Sequence, residues 1–220
     1  MQRKRGSPWA GRVLVLASGK GGAGKTTLAV AVAGELLRRG ERVALLDADP
    51  QESGGLSQWH SAGEAAAGLQ AAELHREIGE GAADLAQQLA QSGAVVVCDA
   101  AGSLTRTTLA LLERADLVLV PARAGGLDAA RAVEMVQLVG QASRAACAVV
   151  LNATTRSLLP DHIRAELRRA GVQVLRSEVG QRVAFPTAQL HGTAPAFLPG
   201  AAAARAEIES LVSELQKVLR

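Results

Sequence analysis

The sequence predicts a doubly wound α/β domain, a mainly parallel sheet with helices on both faces, and two observations carry that expectation. Short apolar runs alternate with longer helical patterns: RVLVLAS from Arg12, TTLAVAVAGELLRR from Thr26, RVALLD from Arg42, then AVVVCD from Ala94, DLVLVP from Asp116, CAVVLN from Cys147 and VQVL from Val172. That alternation reads as successive βα units. Runs such as VLVLA and AVVVCD are apolar at every position instead of every second one, as strands covered on both faces should be.

With 220 residues and 48% hydrophobic composition, the chain can bury one substantial core. We expect a single domain over residues 12–220 behind a short basic extension, residues 1–11. Aromatic residues make up 2% and tyrosine is absent, so the core must be Ala, Leu and Val and no mechanism can need a tyrosine. Cys98 and Cys147 lie inside apolar runs without metal-ligand spacing and read as buried thiols of a reducing compartment. The basic N-terminus leads into no signal cleavage site and no run approaches a membrane span, which predicts a cytoplasmic protein. The stretch from Ser61 to Glu80 has no clean period and is expected to hold a helix end, a loop and one strand around Leu69 to Leu74.

Gly19-Lys20-Gly21-Gly22-Ala23-Gly24-Lys25-Thr26 fits the phosphate-loop pattern G-x-x-x-x-G-K-[ST] and stands between a predicted strand and a predicted helix, as that motif requires. Its glycines let successive N–H groups point at phosphate oxygens, and the helix N-terminus adds a favourable dipole. Lys25 then meets the β and γ phosphates and the Thr26 hydroxyl can ligate Mg²⁺, with Gly21, Gly22, Ala23, Gly24 and Thr27 completing the nucleotide cradle. The reading is an ATP site. Asp99, closing the run Val95-Val96-Val97-Cys98, would hold Mg²⁺ directly or through water. Asp47 and Asp49 end the run Leu45-Leu46 with two carboxylates on the edge where open α/β sheets bind ligands. For Asp49 a helix cap is an equally open role.

The second loop lysine, in KGGAGKTT, resembles the deviant Walker A of the ParA/MinD family of P-loop ATPases. Asp47-Ala48-Asp49-Pro50-Gln51 is similar to that family's DxDPQ segment. Asp99-Ala100-Ala101-Gly102-Ser103 departs from the commoner Asp-Thr-Pro and most resembles the small ParF-type plasmid partition proteins. Pro121 followed by Gly126-Leu127-Asp128 continues the resemblance, as does Gly180-Gln181-Arg182. The resemblance implies that Lys20 reaches a partner's nucleotide across an ATP-dependent homodimer, unless it is an ordinary surface lysine. It further implies that Asp49 positions the attacking water, that Asp47 lies near the metal, and that Gln181 and Arg182 line the base and dimer interface. An adaptor of ParB type would stimulate hydrolysis.

Charge is uneven. Residues 151–220 carry nine Lys or Arg against six acids, whereas residues 51–150 carry six against eleven. Relatives bind non-specific DNA through this C-terminal region, which makes Arg164, Arg168, Arg169, Arg176, Lys217 and Arg220 candidate DNA contacts, or ordinary surface arginine and lysine. The final helix, Ala201 to Leu219, gathers Ile208, Leu211, Val212, Leu215, Val218 and Leu219 on one face. Its Glu207, Glu209 and Glu214 argue for packing on the protein's own sheet against the membrane anchoring of MinD-like relatives. The resemblance therefore implies a partition ATPase that is nucleoid-associated when ATP-bound. A protein cargo, a MinD-like regulator and an ATP-dependent ligase are the alternatives; a tyrosine autokinase fails for want of tyrosine.

Overall fold

The computed structural model describes residues 7–50, 55–63 and 68–220. Gln51 and residues 1–6 of the basic extension lie outside them, as do residues 64–67 of the aperiodic stretch. In chain order the elements are β1 (Val13–Leu16), α1 (Lys25–Arg38), β2 (Val43–Ala48), α2 (Leu56–Ser61), a 3-10 turn at Gly68–Ala71, β3 (Glu73–Arg76), α3 (Gly81–Gln91), β4 (Val95–Ala100), α4 (Arg106–Arg114) and β5 (Leu117–Arg123). There follow α5 (Gly126–Ala142), β6 (Ala146–Thr154), α6 (Leu159–Arg169), β7 (Val174–Gly180), α7 (Ala184–Leu190) and α8 (Ala202–Val218). The seven strands form one sheet in the order β3-β2-β4-β1-β5-β6-β7, and every pairing is parallel.

The uniformly apolar strands are explained by two cores. Leu14, Leu16, Val43 and Leu45 pack beneath α1, α2 and α8 on one face, while Val13, Val15, Ala44 and Leu46 pack beneath α3, α4, α5 and α6 on the other. Alternate side chains serve opposite faces, so a strand buried on both must be apolar throughout. The aperiodic stretch yields a short edge strand, β3, whose residues are half-buried or exposed and begin only at Glu73. Residues 7–11, assigned by composition to an extension, pack onto the domain instead. Trp9 is buried in the core and the Gly11 N–H donates to the Ala94 carbonyl at 3.2 Å.

Strand β7 runs to Gly180, further than the apolar pattern VQVL implied. It sits at the sheet edge, and its register against β6 breaks between Val149↔Val174 and Leu151↔Glu178. The bulge turns the N–H groups of Arg176 and Ser177 out of the ladder, and both donate to the Glu214 carboxylate at 2.8 Å. Two helical turns earlier on the same face, Glu207 accepts from the Gly180 N–H at 3.2 Å and from Arg182 Nε at 2.9 Å. Two of the three glutamates read as a polar outer face of α8 thus close the edge of the sheet. The apolar face of α8 is taken up by the core, with Ile208, Leu211, Val212 and Leu215 buried. No helix among the described residues is long and apolar enough to cross a membrane.

A buried charge joins this face to α1. Glu35 is fully buried and takes Arg38 and Arg39 through bonds of 2.7 Å, while Arg39 reaches on to the Glu209 carbonyl and Ser213 Oγ of α8 at 2.9 Å. Burial pushes the Glu35 carboxyl up, and the two guanidiniums more than reverse it. Burial also opposes ionisation of Glu214, but the two N–H groups and the Ser177 hydroxyl hold its carboxyl below the usual range. A group with a depressed folded pKa stabilises fully above the ordinary glutamate range, and its contribution is lost as pH falls through the lowered value. Glu214→Ala should therefore lower unfolding free energy by about 1–3 kcal/mol at neutral pH, with the difference from wild type shrinking in acid. Urea unfolding at several pH values checks both expectations.

Candidate nucleotide site

The strand order reverses direction around β1, which lies between β4 and β5. Ligands of doubly wound sheets bind at the carboxyl edge of that crossover, and residues 17–24 fill it. The loop is shaped by glycine. Gly22 has φ +77° and Gly24 φ +94°, a region in which side-chain-bearing residues are strained. Ser18 Oγ donates to the Lys20 carbonyl at 2.7 Å, pinning the first turn. Behind the loop, Asn152 Nδ2 donates to the Ala23 carbonyl at 2.8 Å.

Asn152 is a residue that sequence reasoning overlooked. It ends the apolar run CAVVLN as Asp47 and Asp99 end theirs, and that shared position was the available signal. A Cβ on Gly24 would stand 2.1 Å from Asn152 Nδ2, so the loop and β6 approach through the space that glycine leaves. Ala153, next along, holds a positive φ of 52°; strain of this kind clusters at functional sites. Gly102 plays the matching part on the other side, where an added Cβ would meet Gly21 Cα at 3.0 Å. The glycine of Ala-Ala-Gly-Ser is what lets the loop after β4 lie against the phosphate loop.

The carboxylates gather at the same edge. Asp47 and Asp99 are register partners on β2 and β4, and both are buried. Thr26 Oγ1 donates to Asp99 Oδ2 at 2.6 Å, and Asp99 Oδ1 is buried with no hydrogen-bond partner among the described residues. Burial drives the Asp99 carboxyl up to about 7 and the charges of Asp47 and Asp49 add to the rise, against the Thr26 hydroxyl and Lys25, which pull it down. Lys25 is itself largely buried, and desolvation lowers its pKa against the opposing pull of Asp99 and Asp49. Asp47 also has structural partners: one oxygen accepts from the Asp49 N–H at 3.3 Å, and the other from the Ser57 N–H at 2.9 Å and from its hydroxyl. The cap on α2 therefore comes from Asp47, ten residues upstream. Asp49 lines the cleft.

That cleft has a volume of about 360 Å³ and is bounded by Gly21, Gly22, Lys25, Thr26, Thr27 and Asp49, with Trp59 and Gln189 closing its far side. A second recess of about 250 Å³ shares Gly22, Gly24 and Thr27 and continues to Gln181, Arg182, Phe185 and Pro186. The structure thus brings Gln181 and Arg182 beside the loop. Lys20 lies elsewhere. It turns away from the cleft to line a recess with Pro121, Asp128 and Arg131, and its Nζ pairs with Asp128 Oδ1 at 2.7 Å.

The basic residues of the C-terminal region separate into two groups. Arg164 departs from the expected exposed face: its side chain is 11% exposed and paired with Asp161 at 2.8 Å and Glu178 at 2.9 Å, and it also donates to the Leu175 carbonyl. It fastens α6 to β7. Arg168, Arg169, Arg176, Lys217 and Arg220 are exposed. Arg168 and Arg169 end α6 just before β7 begins, and α8 runs from Glu207 beside Gly180 to Glu214 beside Arg176. These five residues therefore lie on the elements around the edge strand β7, with α6 and α8 on opposite faces of the sheet. Both cysteines are free thiols, Cys98 buried as expected and Cys147 half-buried, and burial pushes the Cys147 thiol up to about 12. Two close contacts give the site its test. Gly24→Ala and Gly102→Ala should each weaken nucleotide binding about fivefold to a hundredfold, since strain of about 1–3 kcal/mol displaces the loop. Calorimetry with ADP, alongside thermal unfolding, checks that binding falls more than stability.

Comparison with known proteins places these features in a family. The model of the CobQ/CobB/MinD/ParA nucleotide binding domain matches residues 14–196. The chain is 33% identical over 181 residues to Protein ParA of Rhizobium radiobacter, covering 79% of this chain and 80% of that one. It is 32% identical over 211 residues to the maintenance of carboxysome distribution protein A of Halothiobacillus neapolitanus, covering 92% and 95%. Among solved structures, the MinD cell division protein of Aquifex aeolicus superposes with a TM-score of 0.76 at 17% identity, over 94% of this chain and 97% of that one. A ParA family ATPase of Chlorobium tepidum gives 0.75 at 17%, over 94% and 100%. The structural likenesses speak for the fold, and the family match and the sequence relatives speak for descent: the chain belongs to the ParA/MinD family of P-loop ATPases.

Proposed function

We propose that the protein is a positioning ATPase that hydrolyses ATP as a nucleotide-sandwiched homodimer, binds DNA non-specifically in its ATP state and is released when an adaptor of ParB type stimulates turnover. The observation that carries the reading is the orientation of Lys20. A loop lysine that turns away from its own cleft, into an exchangeable pair with Asp128, is placed to serve another chain's nucleotide rather than its own. When two loaded faces meet, an ammonium between the phosphate chains offsets a repulsion that would otherwise separate them.

The residues fit Mg²⁺. Asp99 presents a buried oxygen with no partner among the described residues, beside the Thr26 hydroxyl, with Asp47 adjacent in register, and buried carboxylates so placed want a cation. The metal would supply charge neutralisation at the β and γ phosphates. Asp49, on the cleft wall, orients the attacking water, and Lys25 and the loop amides hold the phosphates. Arg168, Arg169, Arg176, Lys217 and Arg220 supply the DNA face. Arg164 leaves that set because its charge is engaged within the chain. The alternative of a protein cargo draws on the relative from Halothiobacillus, whose name concerns carboxysome distribution; the identity of the adaptor decides between cargoes.

Two measurements test the proposal. Lys20→Ala should bind ATP as a monomer yet fail to dimerise, so light scattering with a slowly hydrolysed analogue should give the monomer mass. A mutant dimer as stable as wild type overturns the sandwich reading. Wild-type DNA affinity should require ATP and fall steeply with salt, because each neutralised phosphate releases condensed counterion. Replacing Arg168 and Arg169 together should flatten the slope of log affinity against log salt by about 2; an unchanged slope moves the DNA surface elsewhere.

A further inference from the structure

Of the cations that line the cleft and the recess beyond it, one has no carboxylate partner among the described residues. Lys20 is paired with Asp128, Lys25 is flanked by Asp99 and Asp49, and Arg182 is held by Glu207. Arg123, the last residue of β5, is exposed, and among the described residues its guanidinium has neither an ion pair nor a hydrogen-bond partner. It lines both the cleft of the phosphate loop and the recess beyond it. Gly22, Gly24 and Thr27 are the other residues common to the two. An unpaired guanidinium therefore stands at the seam between the part of the site that takes phosphates and the part bounded by Gln181, Phe185 and Pro186.

Resting on the assignment of that cleft to a nucleotide, we propose that Arg123 is a nucleotide-binding residue that engages the α phosphate of the molecule bound to its own chain. The covalent order of a nucleotide dictates the place. With the β and γ phosphates on Lys25 and the loop amides and the base in the recess, the α phosphate, which joins them, lies at the seam. A guanidinium offers paired N–H donors matched to phosphate oxygens, and its free charge complements an anion that the loop carboxylates would repel. Arg123 then fixes the direction in which the nucleoside leaves the phosphate loop. It is a specificity element for a nucleotide over free polyphosphate.

ADP separates this role from one across the dimer, since it carries the α and β phosphates and lacks the γ phosphate that the proposed ATP-dependent dimer requires. Calorimetry of the full chain with Mg-ADP should give a loss of about tenfold to a hundredfold for Arg123→Ala, the range of a charge-assisted hydrogen bond. Arg123→Lys should fall between the two because it keeps the charge and loses the fork. Thermal unfolding without nucleotide should be unchanged, and Arg123→Gln serves if the alanine variant folds poorly. ADP affinity within about twofold of wild type overturns the proposal, and a defect confined to ATP-dependent dimerisation does so too by assigning Arg123 to the partner's nucleotide. Lys25→Ala run in parallel keeps the two assignments distinct. If it binds ADP like wild type the phosphate loop is misassigned, whereas loss in Lys25→Ala alone removes only Arg123.

Discussion

The close approach of three backbone segments around the phosphate loop is the constraint on which the site depends. The loop is wedged between the segment after β4 and the end of β6, and glycine is required at both contacts, at Gly102 against Gly21 and at Gly24 against Asn152. Close packing transmits small displacements rather than absorbing them. The loop's N–H groups are therefore aimed by strands on both sides of the crossover, and the sheet order that puts β1 between β4 and β5 is the condition for that aim. The polar residues ending β2, β4 and β6 then converge on one edge because parallel strands all present their carboxyl ends there.

Much of this was legible in the sequence, for reasons that can be named. A two-sided core forces uninterrupted apolar runs, so strands β1, β2, β4, β5 and β6 announce themselves, and an ionisable residue ending such a run marks the ligand edge. The phosphate loop has few alternatives once its strand and helix flank it. Edge strands carry a weaker signal. β3 and the far half of β7 have an open side, their residues need not be apolar, and the bulge at Arg176 and Ser177 exists only because Glu214, 37 residues from Ser177, accepts its N–H groups. Contacts at that separation leave no local pattern. The same limit explains why Glu207 and Glu214 read as solvated and why Arg164 read as a surface cation.

The charges of the site follow a rule that composition could not state. Before any nucleotide is considered, most of the cations around the loop already have intramolecular carboxylate partners, which lowers the cost of holding them close together. The carboxylates, by contrast, are crowded: burial and the neighbouring charges of Asp47 and Asp49 drive Asp99 up to about 7. The site is thus nearly balanced in cations and short of charge at Asp99.

That imbalance has a directional consequence. Lys20 and Asp128 belong to different elements, the loop after β1 and the first turn of α5, and their pairing at 2.7 Å ties the outside of the phosphate loop to the helix that follows β5. Asp47 ties the inner side of the same edge to α2 through Ser57, and α2 in turn reaches the segment after α7, where Trp59 Nε1 donates to the Thr193 carbonyl at 2.8 Å. Any ligand that recruits Lys20 or Asp47 must compete with these bonds, of which the Lys20–Asp128 pair is partly exposed and so weaker than a buried one. The loop is consequently fixed where its glycines meet β6 and the segment after β4, and held by an exchangeable contact on the side of Lys20. A switch needs both properties, since a loop loose on every side could not select phosphate and one fixed on every side could not report that phosphate had arrived.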